Sequence, residues 1–163
     1  MKIQSTSSPE TVELIRNFLH TQHSGILATA DDAANPHAAV IYFTFEEDFC
    51  LYFITKTETQ KYKNIDENKN VAFAVYNEQD QISVQITGHV EVIKDRDKLQ
   101  TVLNNMYKYS AEISHRELPP LEKLFAGEYV ALRLMPQVIK MAVFARPDSG
   151  ADDIFETILL SEA

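Results

Sequence analysis

The sequence predicts a mainly β protein of the α+β class, a six- or seven-stranded β-barrel with flanking helices. Between positions 25 and 145 most apolar runs are short and rich in β-branched and aromatic residues. Polar turn segments separate these runs, and one of the longest alternates apolar and polar residues with the period of a strand. Helical spacing is confined to a few stretches, so the helices should decorate a closed sheet.

One domain is expected over positions 1–163, with a helical part at 8–22, a barrel core at 24–145 and a tail at 146–163. The chain is 45% hydrophobic and no Pro/Gly/Ser-rich linker divides it. A formal net charge of -9 would repel polyanions, which argues against nucleic acid and anionic membranes as partners. The start lacks an apolar signal core and no run approaches membrane-spanning length, so we expect a cytoplasmic protein. Cys50 excludes an internal disulfide and is expected to be a buried small hydrophobe.

The first helix is predicted to begin after Ser8 and to end near Gln22. Ser8 is a good N-cap, Pro9 suits the first turn, and the Glu10 carboxylate favours the positive end of the helix dipole. Apolar residues then recur at helical spacing and should pack on the sheet: Val12, Ile15, Phe18 and Leu19.

The strands are predicted next, and turn residues rich in Asp, Asn and Glu separate the earlier ones. In chain order they are GILATA, HAAVIYFTF, FCLYFIT, VAFAVY, ISVQITGHVEVI, YVALRLM and VIKMAVFA. Gly88 permits a bend in the long fifth strand, which allows it to curl into a barrel. Pro136 and Gln137 are expected to separate the last two strands.

Further helices are predicted between and after the strands. Positions 59–67 are helix-compatible, and a second apolar stripe at helical spacing follows the fifth strand: Leu99, Val102, Leu103, Met106 and Tyr107. LEKLF should form a short helix. The tail DDIFETILL is expected to form a short amphipathic helix that docks on a partner subunit, because so few residues do not hold a helix alone.

The segment FITKTETQKYKNI gathers three threonines and three lysines where a strand runs into a helix. A phosphate monoester needs N–H or O–H donors and positive charge, and a helix N-terminus adds free amides and a favourable dipole. Thr55 lies at the strand end, Thr59 is a candidate N-cap, and Lys61 is in the first turn. These residues predict a phosphate site. The alternative is an ordinary surface helix that begins with Thr and carries Lys on its wet face.

The order of these parts, from Ser24 to Ile93, resembles the FMN-binding split-barrel family typified by pyridoxamine 5'-phosphate oxidase. The phosphate pattern of that family is a Thr at a strand end, a Ser or Thr four residues later and a Lys two beyond. Here it is matched by Thr55, Thr59 and Lys61, with Gln60 between the last two. The resemblance implies a split barrel with FMN as cofactor, and Gln60 is included among the cofactor-binding candidates.

The same resemblance implies where the rest of the flavin would lie. In the family the isoalloxazine ring lies against the strand that corresponds to HAAVIYF, so ring contacts, largely through the backbone, carry over to Val40, Ile41 and Tyr42. Ser83 and Gln85 fall where the next long strand approaches the flavin. Because the flavin of the family typically lies between two barrels, a homodimer is implied.

The sequence also departs from the oxidase. Gln60 stands where the oxidase has an Arg, and Ala39 and Thr44 stand where its ring-contacting strand has an Arg and a Lys. The chain has no Trp and lacks the Arg-x-His signature of the oxidase C-terminus. Vitamin B6 oxidation is therefore not expected.

The leading hypothesis is an FMN-dependent oxidoreductase that acts on a small organic molecule, with NADH or NADPH as reductant. One alternative is a non-catalytic dimeric protein that binds flavin or heme for sensing, storage or stress protection. Another is an F420-dependent reductase, although the acidic tail of F420 would favour cations beyond Lys56, Lys61 and Lys63. No catalytic residue is assigned.

The histidines give two further expectations. His20 and His23 could pair on a metal, but they lie near a predicted helix end and no third ligand stands close in sequence, so no metal site is expected. His37 begins the predicted ring-contacting strand, where it either faces the substrate or is an exposed strand-end residue.

Overall fold

The computed structural model describes residues 2–3, 8–113, 127–144 and 155–161. Within them lie three helices: α1 (Pro9–Thr21), α2 (Gln60–Glu67) and α3 (Arg96–Ile113). The strands in the same part of the chain are β1 (Lys2–Ile3), β2 (Ser24–Ala30), β3 (Pro36–Phe45), β4 (Leu51–Lys56), β5 (Asn70–Asn77), β6 (Ile82–Val92), β7 (Tyr129–Val143) and β8 (Phe155–Ser161).

Six of the strands form a closed antiparallel barrel in the order β2, β3, β4, β7, β6 and β5, and β5 returns to β2. β8 extends β7 outside the barrel and β1 pairs with β8. Alternate residues of the strands fill the interior, and Leu27, Phe43, Phe53, Phe73 and Ile86 are among those that are almost wholly buried. The predicted fold class, a six- or seven-stranded barrel with flanking helices, is confirmed.

α1 forms as the sequence indicates and covers the barrel with its apolar stripe. The Thr11 amide donates to Ser8 Oγ at 3.2 Å, which caps the helix, and Pro9 occupies its first turn. Ile15, Phe18 and Leu19 are buried in the core of the barrel. α3 packs instead on the outside of β4 and β7, over a second apolar cluster that contains Cys50, Tyr52 and Met106.

The predicted break at Pro136 is wrong, because β7 is one continuous strand of 15 residues. The register between β6 and β7 shifts at Thr87/Gly88, where Gln137 is the extra residue of a bulge. A bulge tolerates the missing proline N–H, so the strand continues through it. A side chain on Gly88 would lie 2.1 Å from the Met135 carbonyl oxygen, which explains why glycine is required at this close approach.

The tail helix predicted for DDIFETILL is also wrong within the described residues, where Phe155–Ser161 forms β8. β7 is much longer than β4, so its residues 138–142 leave a strand edge beyond the β4 pairing, and β8 pairs with that edge. Ile158 is buried and Leu159 is exposed, as strand alternation requires. The segment LEKLF lies outside the described residues. In the part of the chain described, no helix has the length and apolar character needed to cross a membrane.

Candidate functional site

An opening in the barrel lies between β3 and β4. The ladder joining them covers only Phe43–Phe45 on β3 and Leu51–Phe53 on β4. Beyond it, β3 continues to pair with β2 while Ile54–Lys56 of β4 pair with β7, so the two strands part. α2 follows β4 directly and packs against β2 and β3. The opening therefore has the end of β4, the start of α2 and one edge of β3 around it.

The first turn of α2 brings together three of the predicted phosphate-binding residues. Lys61 Nζ donates to Thr55 Oγ1 at 3.3 Å, and the Thr55 and Thr59 hydroxyl oxygens are 3.1 Å apart. Thr59 Oγ1 donates to the Lys56 carbonyl at 2.8 Å, so its proton is used there and Thr55 must be the donor to Thr59. The hydrogen bonds therefore run in one direction, from the Lys61 ammonium through the two hydroxyls to the Lys56 carbonyl.

Two properties of this cluster favour an anion. Thr55 is only 1% exposed, and Lys61 is half-buried. The pKa of Lys61 is lowered because burial desolvates its ammonium, and no neighbouring carboxylate offsets that effect among the described residues. Thr59 is the N-cap residue of α2, but its hydroxyl does not accept from the first amides of the helix. The helix N-terminus is left with donors that point outward.

Gln60 lies beside this cluster, but its side chain is turned away from it. Gln60 Nε2 donates to Asn64 Oδ1 at 2.7 Å, and Asn64 Nδ2 donates to Thr29 Oγ1 at 3.1 Å. Asn64 is 2% exposed, so this chain fixes α2 to β2 from within. Thr29 and Asn64 were not identified from the sequence. The one signal for Asn64 is a poor helix former inside a helix.

The predicted ring contacts on β3 do not share one face. The side chains of Val40 and Tyr42 point out of the barrel and are 67% and 46% exposed, whereas Ile41 belongs to the core. Alternation along a strand requires this arrangement. The backbone contact of these three residues with a planar ligand stays a prediction, and only Val40 and Tyr42 have side chains on the outer face.

Ser83 and Gln85 lie on the outer face of β6, away from the phosphate cluster. Cross-strand partners place Val40, Ile26, Ala74 and Gln85 in one row across four strands. Val40 and Gln85 are thus three strand spacings apart, roughly 14 Å. Within one chain the structure does not bring Ser83 and Gln85 to the Thr55–Lys61 cluster, and their contact with a flavin stays a prediction.

The histidines near the end of α1 have protein partners. His20 Nε2 is 3.2 Å from Glu47 Oε1, and its ring packs edge-on against Phe45. The His23 carbonyl accepts from the Phe43 amide at 3.0 Å. Across the described residues no group of three or more His, Cys, Asp or Glu side chains could hold a metal ion. Cys50 is buried, and this burial raises the pKa of its thiol to about 12, so it is no nucleophile at neutral pH.

Comparison with known proteins gives a family and several structural neighbours. The family model described as pyridoxamine 5'-phosphate oxidase matches residues 11–139. No curated protein sequence matches the chain. General Stress Protein 26 from Bacillus anthracis is 26% identical with a TM-score of 0.61, over 81% of this chain and 93% of that one.

Two further solved structures have informative descriptions. A heme binding protein from Mycobacterium smegmatis has a TM-score of 0.71 at 12% identity, over 93% of this chain and 59% of that one. A structure described as an F420 reductase has a TM-score of 0.58 at 24% identity, over 76% of this chain and 94% of that one. At these identities the two similarities concern the fold alone.

Proposed function

Since the chain belongs to the pyridoxamine 5'-phosphate oxidase-like split-barrel family, we propose that it binds FMN and is an oxidoreductase for a small organic molecule. NADH or NADPH is the proposed reductant and the cytoplasm the proposed location. FMN supplies the redox chemistry when bound, by accepting and releasing a hydride or electrons at its ring. The work of this chain is then to hold, orient and shield the cofactor.

The observation that carries the proposal is the series of hydrogen bonds Lys61–Thr55–Thr59 at the start of α2. It provides an ammonium and the free amides of a helix N-terminus beside an opening of the barrel, and the Thr55 hydroxyl accepts from the ammonium and so positions it. A phosphate dianion is the natural complement of such donors. An anion would also offset the unfavourable burial of the Lys61 charge. The residues therefore fit the phosphate end of FMN.

The remaining residues divide the other tasks. The β3 edge at Val40–Tyr42 offers backbone groups to the pyrimidine side of the ring, where amide donors stabilise negative charge on the reduced form. The chain Gln60–Asn64–Thr29 holds α2, and with it Lys61, against the barrel. Gln60 contributes by position here and not as the bidentate donor that an Arg would be.

A homodimer is the second part of the proposal. The outer face of β2, β3 and β5 carries small and apolar residues, and four large ones are about half exposed or more: Ile26, Val40, Tyr42 and Tyr76. An exposed patch of this kind usually marks an interface. A second copy on this face would cover the ring side of the opening. It would also bring its own β6 residues, including Ser83 and Gln85, towards a flavin that they do not reach within one chain.

Two structural neighbours are described as a heme binding protein and an F420 reductase, so heme and F420 are the competing ligands. One experiment distinguishes FMN from both. The protein is purified, its absorption spectrum recorded, and any released cofactor identified by mass; apo-protein is then titrated with FMN, heme and F420 in parallel. We expect a flavin spectrum that bleaches with NADH or NADPH and recovers in air. Preferential binding of heme or F420 would overturn the FMN assignment. A flavin that responds to no reductant would leave a binding protein without turnover.

The dimer has its own test. Ile26→Lys places a charge in the middle of the outer face, where the side chain is half exposed and its loss leaves the core intact. Light scattering should show a dimer for the wild type and a monomer for the variant, with FMN binding lost in the monomer. A flavin-loaded wild-type monomer would contradict the shared cleft.

A further inference from the structure

The Nδ1 nitrogen of His37 is buried and has no hydrogen-bond partner in the described part of the chain. Among the residues that the structure describes, its Nδ1 is the one buried side-chain nitrogen or oxygen without a hydrogen-bond partner. The ring as a whole is partly buried, near the start of β3. Buried polar groups are almost always paired, and leaving one unpaired destabilises a fold. This atom is therefore a candidate for a partner that does not belong to the chain.

Hydrogen bonds connect His37 to α2, the helix that begins at the candidate phosphate cluster. His37 pairs across the strands with Thr29, whose hydroxyl donates to the His37 carbonyl at 3.5 Å and accepts from Asn64. Asn64 is in turn bound by Gln60, in the first turn of α2. These neighbouring groups satisfy one another. They fix the backbone of His37 against α2, and none of these hydrogen bonds uses its ring nitrogen.

The stretch of β3 that holds His37 is also the stretch that has parted from β4. Residues 36–42 pair with β2, and the β4 ladder begins only at Phe43. His37, Ala39 and Ile41 alternate onto the inner side of this segment, which faces α2. A ligand anchored at the first turn of α2 and lying along β3 passes this side of the strand.

We infer that His37 is a cofactor-contacting residue whose Nδ1 hydrogen bonds to an oxygen of the phosphate-bearing tail of the flavin. The inference rests on the proposed function and adds a residue to it. The tail has oxygens of two kinds, the phosphate and the hydroxyls of the ribityl chain. Either can pair with an imidazole nitrogen, since the tautomer adapts to a donor or an acceptor.

The test compares His37→Phe with wild type in titrations of the apo-protein with FMN and with riboflavin, which lacks the phosphate. Removing one hydrogen bond of this kind should weaken binding by roughly threefold to tenfold. A loss for FMN alone would assign the contact to the phosphate, and an equal loss for both ligands would assign it to the ribityl chain. Unchanged affinity for both would overturn the inference.

Thermal unfolding of the apo-proteins supplies a readout that needs no ligand. Because His37→Phe removes an unpartnered polar atom, the apo melting temperature should stay the same or rise while the shift caused by FMN shrinks. His37→Asn, which keeps a polar group near the Nδ1 position, should restore most of the affinity. His89→Phe replaces a half-buried histidine of β6 and should leave flavin affinity unchanged. If wild type binds no flavin, the proposed function fails as well; if it binds and His37→Phe binds equally well, only this inference fails.

Discussion

Two partly buried lysines lie on opposite sides of β4 and differ in how their charge is balanced. Lys61 lies at the open end of the barrel, where its ammonium donates to the Thr55 hydroxyl at 3.3 Å. Lys98 lies under α3, where both oxygens of the Glu46 carboxylate accept from its Nζ at 2.6 Å. The Lys98 ammonium also lies 4.3 Å from the centroid of the Tyr52 ring.

The pKa values of the two lysines move in opposite directions. Burial lowers the pKa of Lys61 because it removes water from the ammonium, and no opposite charge among the described residues compensates that loss. Burial also opposes the charge on Lys98, but its hydrogen bond to Glu46 and its interaction with Tyr52 outweigh that effect and raise its pKa. The charge of Lys98 is balanced by groups of the protein itself, whereas the charge of Lys61 is suited to an anion from outside. A binding role for one and a structural role for the other follow.

Lys61→Ala should give the largest effect on the ligand. FMN affinity should fall by about 1.5–3 kcal/mol, the scale of a charge-assisted hydrogen bond, while riboflavin affinity stays the same. The free energy of unfolding of the apo-protein should not fall, because the removed charge has no ionic partner in the described part of the chain. Isothermal titration with both ligands and urea denaturation measure these quantities.

Lys63→Ala is the matched control for that variant, since Lys63 lies on the exposed side of the same helix. It should change FMN affinity by only a small fraction of the Lys61 effect. Equal losses from the two variants would mean that the helix attracts the phosphate through its general charge, and the distinction between Lys61 and its neighbours would fail.

Lys98→Met should lower the stability of the protein and leave its FMN affinity unchanged, the opposite of Lys61→Ala. The change leaves the partly buried Glu46 carboxylate without its ion-pair partner and removes the contact with Tyr52, so unfolding should become easier by about 1.5 kcal/mol. FMN affinity should be unaffected. Denaturant midpoints and an FMN titration on the folded variant are the measurements. If Lys98→Met remained stable but bound FMN more weakly, the ligand would lie on the α3 side of β4, which would contradict the proposed site.

Thr55→Val should weaken FMN binding less than Lys61→Ala does. The side chain keeps its shape but loses the hydroxyl that accepts from Lys61 and donates to Thr59. We expect FMN affinity to fall by about 1 kcal/mol. Thr57→Val, in the same loop but outside the hydroxyl chain, serves as control. A loss as large as that of Lys61→Ala would indicate that Lys61 cannot hold the phosphate without the Thr55 hydroxyl.

The part of this site that the sequence predicts is the part built from neighbours along the chain. Thr55, Thr59 and Lys61 span one strand end and one helical turn, so their spacing alone brings them together, and the structure shows their side chains in contact. The barrel was predictable for the same reason, because each strand is marked by its own alternation and turn residues.

What the sequence does not predict depends on residues far apart in the chain. Asn64 meets Thr29 across 35 residues, and Lys98 meets Glu46 across 52, so neither partner is marked by spacing. The tail was misassigned for a similar reason. Its local pattern suits a short helix or a strand, and the open edge of β7 decides for the strand. Tertiary context overrides weak local preference in such segments.

The smallest predicted effect is a pH dependence that separates ligand binding from stability. Because the folded-state pKa of Lys61 is lowered below its unfolded value, its charge opposes folding below that pKa, and this penalty is relieved as pH rises through it. A bound phosphate would raise the pKa of Lys61 again, so FMN affinity should fall with rising pH over the same range. The fall should be smaller than the loss in Lys61→Ala, since the neutral amine still donates a hydrogen bond. Lys61→Met should flatten both trends relative to wild type, whereas parallel pH profiles for the two proteins would show that the lysine charge contributes to neither.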